Sequence, residues 1–193
     1  WFAVKRGSAT CIERLCPRLS TKNPQDQVFL DSCVSVASLG GEREMGGLAH
    51  LEGQTVQALA DGNPIGPFTV QAGKITLPAG INTVHVGLAY EARLVTLPPE
   101  LNLADGTSRD RKRRLVSVTF LLADSRGGFA GPEDGKPDEL VYAPQTPGSQ
   151  APALQSGLCE KIISSSHSRL KGVLFQQPAP LPVTLLNIMV TSC

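Results

Sequence analysis

The histidines are the residues of this sequence best suited to bind a metal or to move a proton. His50, His85 and His167 stand far apart, and none has a Cys, Asp or Glu at a spacing that one helix or strand would bring together. We therefore predict that the chain holds no metal. His85 lies in an alternating strand pattern that predicts an exposed polar face, and His50 precedes residues typical of a turn.

Two carboxylate pairs, Glu42 with Glu44 and Glu133 with Asp134, have the residue types of a general acid and a general base. Both pairs fall in Gly-rich segments, where solvated charge is the ordinary explanation. No Gly-x-Ser-x-Gly elbow activates a serine, and no phosphate-cradling glycine motif is found. We therefore predict a protein that is not an enzyme, with no catalytic residues and no cofactor.

A basic run is the one charge cluster of the chain. Lys and Arg side chains can contact a phosphate backbone without reading its sequence, but no aromatic residues lie between them to stack on bases. The competing interpretation is a solvated loop that leads into the next strand. The run consists of Arg109, Arg111, Lys112, Arg113 and Arg114.

Overall charge and cysteine content indicate which partners the chain attracts and in which redox environment it is made. The 18 basic and 17 acidic side chains nearly cancel, so no whole-chain field attracts nucleic acid or a membrane. No apolar stretch approaches the roughly 20 residues of a spanning helix. The five cysteines lack a CxxC pair, which predicts buried free thiols and synthesis in a reducing place such as a bacterial cytoplasm. Because the sequence begins at Trp1 without Met, we expect a piece of something longer.

The elements that position these residues are predicted to be strands. The chain contains 19 Gly and 15 Pro, scattered between short apolar runs in the manner of an all-β protein. Residues 1–38 read as three strands, at 1–6, 10–15 and 28–37, that lead into or pair with a C-terminal β-domain. We expect long irregular loops and little or no helix.

Residues 39–100 are predicted to form a small β-barrel or sandwich, with strands at 55–60, 67–71, 74–78, 83–88 and 94–97. The chain reverses where residues tolerate positive φ, at Asp61-Gly62-Asn63-Pro64, Ala72-Gly73 and Pro78-Ala79-Gly80. We assign structural turn roles to His50, Glu52, Gly53, Asp61 and Gly62.

Residues 101–193 are predicted to form a second antiparallel β-sandwich, built with the flanking segments and packed with the module. Its most β-prone run is 115–123, and its closing strands are 160–164, 172–176 and 182–190. Between them we expect a long exposed loop, 124–153, with at most a short strand at 139–142.

Four motifs follow one another in the module: Gly47-Leu48-Ala49-His50-Leu51-Glu52-Gly53-Gln54-Thr55-Val56, Ala60-Asp61-Gly62, Val70-x-x-Gly73-x-Ile75-Thr76-Leu77 and Val86-Gly87-Leu88-x-Tyr90. Their order resembles the C-terminal part of tail tubular protein B, the nozzle protein family of short-tailed bacteriophages, and related phage tail proteins with the same small β-module. The flanks at Ile12-Glu13-Arg14-Leu15, Phe29-Leu30-Asp31-Ser32 and 177–186 are similar to the same family.

The resemblance implies a virion component, made in the host cytoplasm and built into the tail. Such a subunit is expected to form a hexameric ring with copies of itself, next to the portal adaptor and tail-fibre proteins. The ring encloses the channel through which DNA is ejected, so the basic run 109–114 becomes a candidate contact with the lumen, with nonspecific passing DNA or with a neighbouring subunit.

Two other functions compete with this one. An all-β domain with a long loop suits a receptor- or glycan-binding module of a tail appendage, although one Trp and two Tyr are few for sugar stacking. A hydrolase of cell-wall or capsule polymers would need a carboxylate pair on rigid strands, for which Glu52 and Asp61 are the residues to test.

Overall fold

The structure of the chain is a computed structural model. It describes all residues except 7–8, 16–22, 24–25, 38–42, 99–101, 104–105, 108–111, 113, 142–150, 164, 166, 168–170 and 193. The chain divides into two compact units, Trp1–Tyr90 with Thr146–Ala153, and Glu91–Gln145 with Leu154–Cys193.

The first unit is built on a four-stranded antiparallel sheet in the order β3-β8-β5-β6, with the small pairs β1-β2 and β4-β7 beside it in the same unit. A short 3-10 turn, Ala49–Leu51, follows β4. The strands are β1 (Phe2–Arg6), β2 (Ala9–Glu13), β3 (Asp31–Ala37), β4 (Glu44–Met45), β5 (Thr55–Ala60), β6 (Asn63–Thr69), β7 (Ile75–Thr76) and β8 (Thr83–Leu88).

Period-two alternation explains where the core of the first unit lies. Ala58 pairs with Val86 and Ala60 with Val84, so these four side chains share one face of the sheet. That face is buried against apolar residues of the turns that follow β4 and β7. β6 is an edge strand of this sheet, and more than half of its residues are exposed. The buried cluster contains Met45, Leu48, Leu51, Val56, Ala58, Ala60, Val70, Ile75, Leu77, Ile81, Val84 and Val86.

Two reversals of the first unit lie where the sequence predicts them, but the first is shorter than expected, because Asn63 and Pro64 already pair with β5 as the start of β6. Asp61 and Gly62, with φ of 47° and 80°, form the two-residue loop between β5 and β6. Ala72 and Gly73, with φ of 50° and 68°, form a second such loop inside the Gln71 to Lys74 bridge. Positive φ at both central positions is the geometry of type I′ turns, whose twist matches that of the flanking strands.

The second unit contains a three-stranded sheet, β15-β12-β17, a four-stranded sheet, β14-β13-β16-β9, and the small pair β10-β11, all antiparallel. Its strands are β9 (Ala92–Val95), β10 (Asn102–Leu103), β11 (Gly106–Thr107), β12 (Leu115–Ser125), β13 (Phe129–Pro132), β14 (Asp138–Glu139), β15 (Gln155–Ile162), β16 (Val173–Gln177) and β17 (Thr184–Ser192).

The core of the second unit is centred on β12. Phe120 is fully buried and faces Phe175 of β16 with the ring centroids 5.5 Å apart at a tilt of 59°. Such a tilted arrangement brings a ring edge toward a ring face, which is favourable for aromatic pairs. The buried cluster contains Leu115, Val118, Phe120, Leu122, Ala130, Leu140, Cys159, Ile163, Val173 and Phe175.

The all-β class predicted from the sequence is confirmed, and no α-helix occurs in the described part of the chain. None of the sheets closes into a barrel, so the barrel predicted as one form of the module is not seen. The unit boundary lies between Tyr90 and Glu91, and β3 pairs with β8 of the module, whereas we expected the first strands to be associated with the C-terminal domain.

The expected loop 124–153 is more ordered than its composition predicts. β12 continues to Ser125, and β13 occupies residues that Gly131 and Pro132 had marked as loop. β13 exists because it pairs with β16 along its length and Ala130 reaches the core, which are long-range contacts that local propensity does not encode. Residues 142–150 lie outside the described part.

No helix within the described residues has the length and apolar character needed to cross a membrane.

Candidate functional site

Glu52 holds the second type I′ turn of the first unit. It follows the 3-10 turn, and its two carboxylate oxygens accept hydrogen bonds from successive backbone amides, Oε1 from Ala72 at 2.9 Å and Oε2 from Gly73 at 2.6 Å. Gly53, at a φ of 72°, then turns the chain so that its own N–H donates to the Val70 carbonyl at 3.1 Å. Both carboxylate oxygens of Glu52 are therefore engaged with main chain.

Asp61 makes the equivalent contact from the first type I′ turn. Its Oδ1 accepts from the Thr83 N–H at 2.8 Å and its Oδ2 from the Asn82 N–H at 3.2 Å. Its own N–H donates to the Thr83 carbonyl at 2.8 Å, while Gly62 completes the loop. The β5–β6 reversal is thereby tied to the start of β8, the strand that lies between β3 and β5.

His50 is attached to an irregularity in β3. Its Nε2 lies 3.0 Å from the carbonyl oxygen of Ser32, a contact across 18 residues and not the local one that a simple turn histidine makes. Ser32 has a φ of 51°, at a register shift between Asp31 and Val34, and its Oγ donates to Oε1 of Glu13 at 3.0 Å. The histidine and the glutamate together fix this bulge.

Gly87 explains why β3 can pass so close to β8 at the bulge. A Cβ at this position would meet the Asp31 carbonyl oxygen at 2.6 Å, the Leu30 Cβ at 3.0 Å and the Cys33 Cα at 3.1 Å. Two of these are backbone atoms, which cannot move without separating the strands. Glycine is therefore required by space at this position.

The prediction of an exposed face for His85 is wrong. His85 is 6% exposed, because β8 is an interior strand whose residues from Val84 to Gly87 are buried on both faces. Its Nδ1 lies 2.7 Å from Oγ of Ser35, the residue opposite it on β3. Alternation marks which residues share a face, but it does not say whether the chain covers that face.

The described members of the two carboxylate pairs each contact a different group. Glu44 forms an exposed ion pair with Lys74 at 3.2 Å, while Glu42 is outside the described residues. Glu133 accepts from the Gly172 N–H at 3.2 Å, and Asp134 pairs with Lys171 at 2.6 Å. The hydrogen bond from Lys171 holds the pKa of Asp134 below its ordinary value, which favours the charged form of this carboxylate.

The basic run is only partly described. Lys112 and Arg114 are exposed, while Arg109, Arg111 and Arg113 lie outside the described residues. The exposed pair is compatible with either a solvated loop or a charged contact surface.

Cys11, Cys33 and Cys159 are free thiols. Cys159 is buried as expected, but Cys11 and Cys33 are only half-buried. Within the described part of the chain, no group of three or more His, Cys, Asp and Glu side chains is arranged to hold a metal ion.

Sequence reasoning found the turn positions of Glu52 and Asp61, but not the side chains around the two histidines and the bulge in β3. Ser32, Ser35 and Glu13 carry no local signal, because their roles depend on pairing between distant strands. The motif around Gly87 was the available clue, since an interior strand with a glycine often marks a close backbone approach.

Comparison of the chain with models of known protein families gives no match, and no curated protein is significantly similar to it.

Proposed function

We propose that this chain is a structural, non-enzymatic part of a bacteriophage tail: a ring-forming nozzle or tubular subunit that lines the DNA ejection channel. The observation that carries the proposal is the order of motifs from Gly47 to Tyr90, which resembles the small β-module of that family. The module would supply rigid packing in the wall of the ring, and function would come from the shape of the assembly.

The roles of the distinctive residues support a scaffold. Glu52 and Asp61, the carboxylates to test for hydrolase activity, each accept hydrogen bonds from two backbone amides. A general acid or nucleophile needs a carboxylate oxygen directed at a substrate, and these are directed at main chain. The motif residues thus have a structural use that a tail subunit would need.

The proposed partners are further copies of the chain, with the portal adaptor and tail-fibre proteins above and below, in the virion. Lys112 and Arg114 are exposed and charged, which suits a surface at the lumen or at a subunit boundary. Contacts of this kind with DNA are electrostatic and nonspecific, so a genome can slide past them. The candidate contact residues are the basic ones that lie close together in the sequence: Arg109, Arg111, Lys112, Arg113 and Arg114.

The test is made on the complete protein, expressed from its full reading frame. Electron microscopy and native mass spectrometry should show closed rings, and mass spectrometry of purified virions should detect the protein. A complete protein that stays monomeric and is absent from virions would refute the proposal.

Replacing all five basic residues by Ser distinguishes a lumen from a subunit contact. Loss of rings places them at a subunit boundary, whereas intact rings with slowed DNA ejection place them at the lumen.

The receptor- or glycan-binding alternative predicts a different result. A chain of that class binds the host surface or a glycan array as an isolated domain, without forming rings. Binding of a defined glycan by the monomeric chain would favour it over the ring subunit.

A further inference from the structure

β9 is an open edge of the four-stranded sheet in the second unit. It is hydrogen-bonded to β16 and to no other strand of the described chain. All four of its residues are exposed, with Leu94 and Val95 at 42% and 38%. An exposed edge of this kind offers unpaired backbone N–H and C=O groups to another strand.

The pairing with β16 decides which residues offer those groups. The Thr96 N–H donates to the Val173 carbonyl at 2.9 Å, so the backbone groups of Thr96 point toward β16. Alternate residues of an antiparallel strand direct their groups to opposite edges. Arg93 and Val95, and Glu91 just before the strand, therefore present N–H and C=O at the open edge.

We propose that this edge pairs, antiparallel, with the same edge of a second copy of the chain, about a twofold axis at Ala92. Only residues that direct backbone groups outward can form hydrogen-bonded pairs, so Arg93 must face Glu91, Arg93 or Val95 of the second copy. If Arg93 faced Arg93 of the second copy, two like charges would lie opposite each other. If it faced Val95, the charges of Arg93 and Glu91 would both lack a partner across the contact. If Arg93 of each copy faces Glu91 of the other, the contact contains two Glu–Arg pairs and four backbone hydrogen bonds.

The positions of the Glu91 and Arg93 side chains at this edge favour that arrangement. The Glu91 carboxylate is held on the sheet by a hydrogen bond from Nε2 of Gln176, 2.6 Å from Oε1. Arg93 lies opposite Gln176 in the register, on the same face, and has no ion-pair partner in the part of the chain that the structure describes. A second copy would supply one.

The contact is small, so the dimer is weak and forms at protein concentrations on the order of 0.1–1 mM. A twofold contact joins the same surface of two copies, whereas a ring is closed by two different surfaces. The pairing is therefore independent of the proposed ring.

Charge reversal tests the register. In sedimentation equilibrium of the 193-residue chain, Arg93→Glu and Glu91→Arg should each weaken dimerisation at least tenfold, because each places like charges opposite one another. An equimolar mixture of the two variants should pair again, since the two carboxylates that one variant carries at positions 91 and 93 then face the two guanidinium groups of the other. Restored pairing also shows that both variants are folded.

Lys136→Glu is the control, since Lys136 is an exposed cation of the same unit, in the β13–β14 connection at the opposite side of the sheet from β9. It should leave dimerisation unchanged. A chain that is monomeric at 1 mM (an order-of-magnitude limit for a contact of this size) overturns the proposal. So does a dimer that is insensitive to both reversals, or a mixture that fails to pair.

Discussion

At the scale of single residues, two glutamates of the first unit illustrate how differently an exposed carboxylate can contribute. Glu44 reaches an ammonium group, Lys74 Nζ, in water. Glu52 accepts from two main-chain donors of a turn whose Ala72 adopts a φ of 50°, a conformation costly for a residue with a Cβ. Hydrogen bonds to a charged acceptor are stronger than neutral ones, so Glu52 helps to hold this turn in place.

The first prediction compares these two residues. Glu52→Ala should lower the free energy of unfolding by about 1–2 kcal/mol, because two amide donors lose a charged acceptor. Glu44→Ala should change it by less than about 0.5 kcal/mol, as for other exposed ion pairs. Urea unfolding followed by circular dichroism measures both.

Glu52→Gln keeps one acceptor oxygen and should fall between wild type and Glu52→Ala. Equal effects of the two alanine substitutions would mean that the Glu52 contacts contribute nothing beyond an ordinary surface charge.

At the scale of elements, the approach of β3 to β8 depends on a bulge and a missing side chain. The register shift between Asp31 and Val34 places Asp31 and Cys33 over Gly87, where no Cβ intervenes. His50 and Glu13 fix the bulge from the outside through Ser32. The geometry of a strand pair is here set by residues from three distant parts of the chain.

The second prediction concerns Gly87→Ala. Because the new methyl group would overlap the Asp31 carbonyl and approach the Cys33 backbone, β3 must move away from β8, at a cost of about 1–3 kcal/mol or more. Gly46→Ala is the matched control: its Cβ would meet only Lys74 Cγ, at 3.9 Å, and its effect should stay within about 0.5 kcal/mol. Chemical denaturation of both variants decides, and a Gly87→Ala protein as stable as the control would contradict the close approach of β3 to β8 at the bulge.

At the scale of the whole molecule, sequence reasoning succeeded where structure is local. The Asp61-Gly62 and Ala72-Gly73 reversals follow from the few residues that accept positive φ, and the bounds of β5 and β8 follow from alternation between such turns. It failed where a strand depends on a distant partner, as at β13. It also failed for His85, whose burial depends on what covers β8.

In the candidate site, too, the local features could be predicted from the sequence and the long-range contacts could not. The turn positions of Glu52 and Asp61 could be predicted, since acidic residues beside Gly mark reversals. Their specific amide partners could not, because these lie 20 to 22 residues away and are brought close only by the folded sheet. The open edge at β9 was likewise invisible, since an edge is defined by the strand order of the whole sheet.

A buried cysteine in the core of the second unit can be used to measure whether that core is closed or open. Cys159, 5% exposed, lies opposite Phe120 between β15 and β12. Burial raises the pKa of the Cys159 thiol, and the charge of Lys161 offsets part of this rise. The thiolate is the reactive form, and the side chains around buried Cys159 keep a reagent from its sulfur, so labelling requires opening of this core.

The third prediction therefore uses single-cysteine proteins that retain either Cys159 or Cys11. Cys159 should react with Ellman's reagent at least about 100-fold more slowly than half-buried Cys11, and its rate should rise with urea in step with unfolding of the second unit. Equal labelling rates for the two cysteines in the absence of urea would show that this core opens freely and does not protect its thiol.

The same thiol makes the stability of the protein depend on pH. Because the folded state favours the neutral thiol, the stability contributed by Cys159 is fully present below its ordinary pKa of 9.0 and is lost as pH rises through the raised pKa of the folded state. Cys159→Ala should remove that loss.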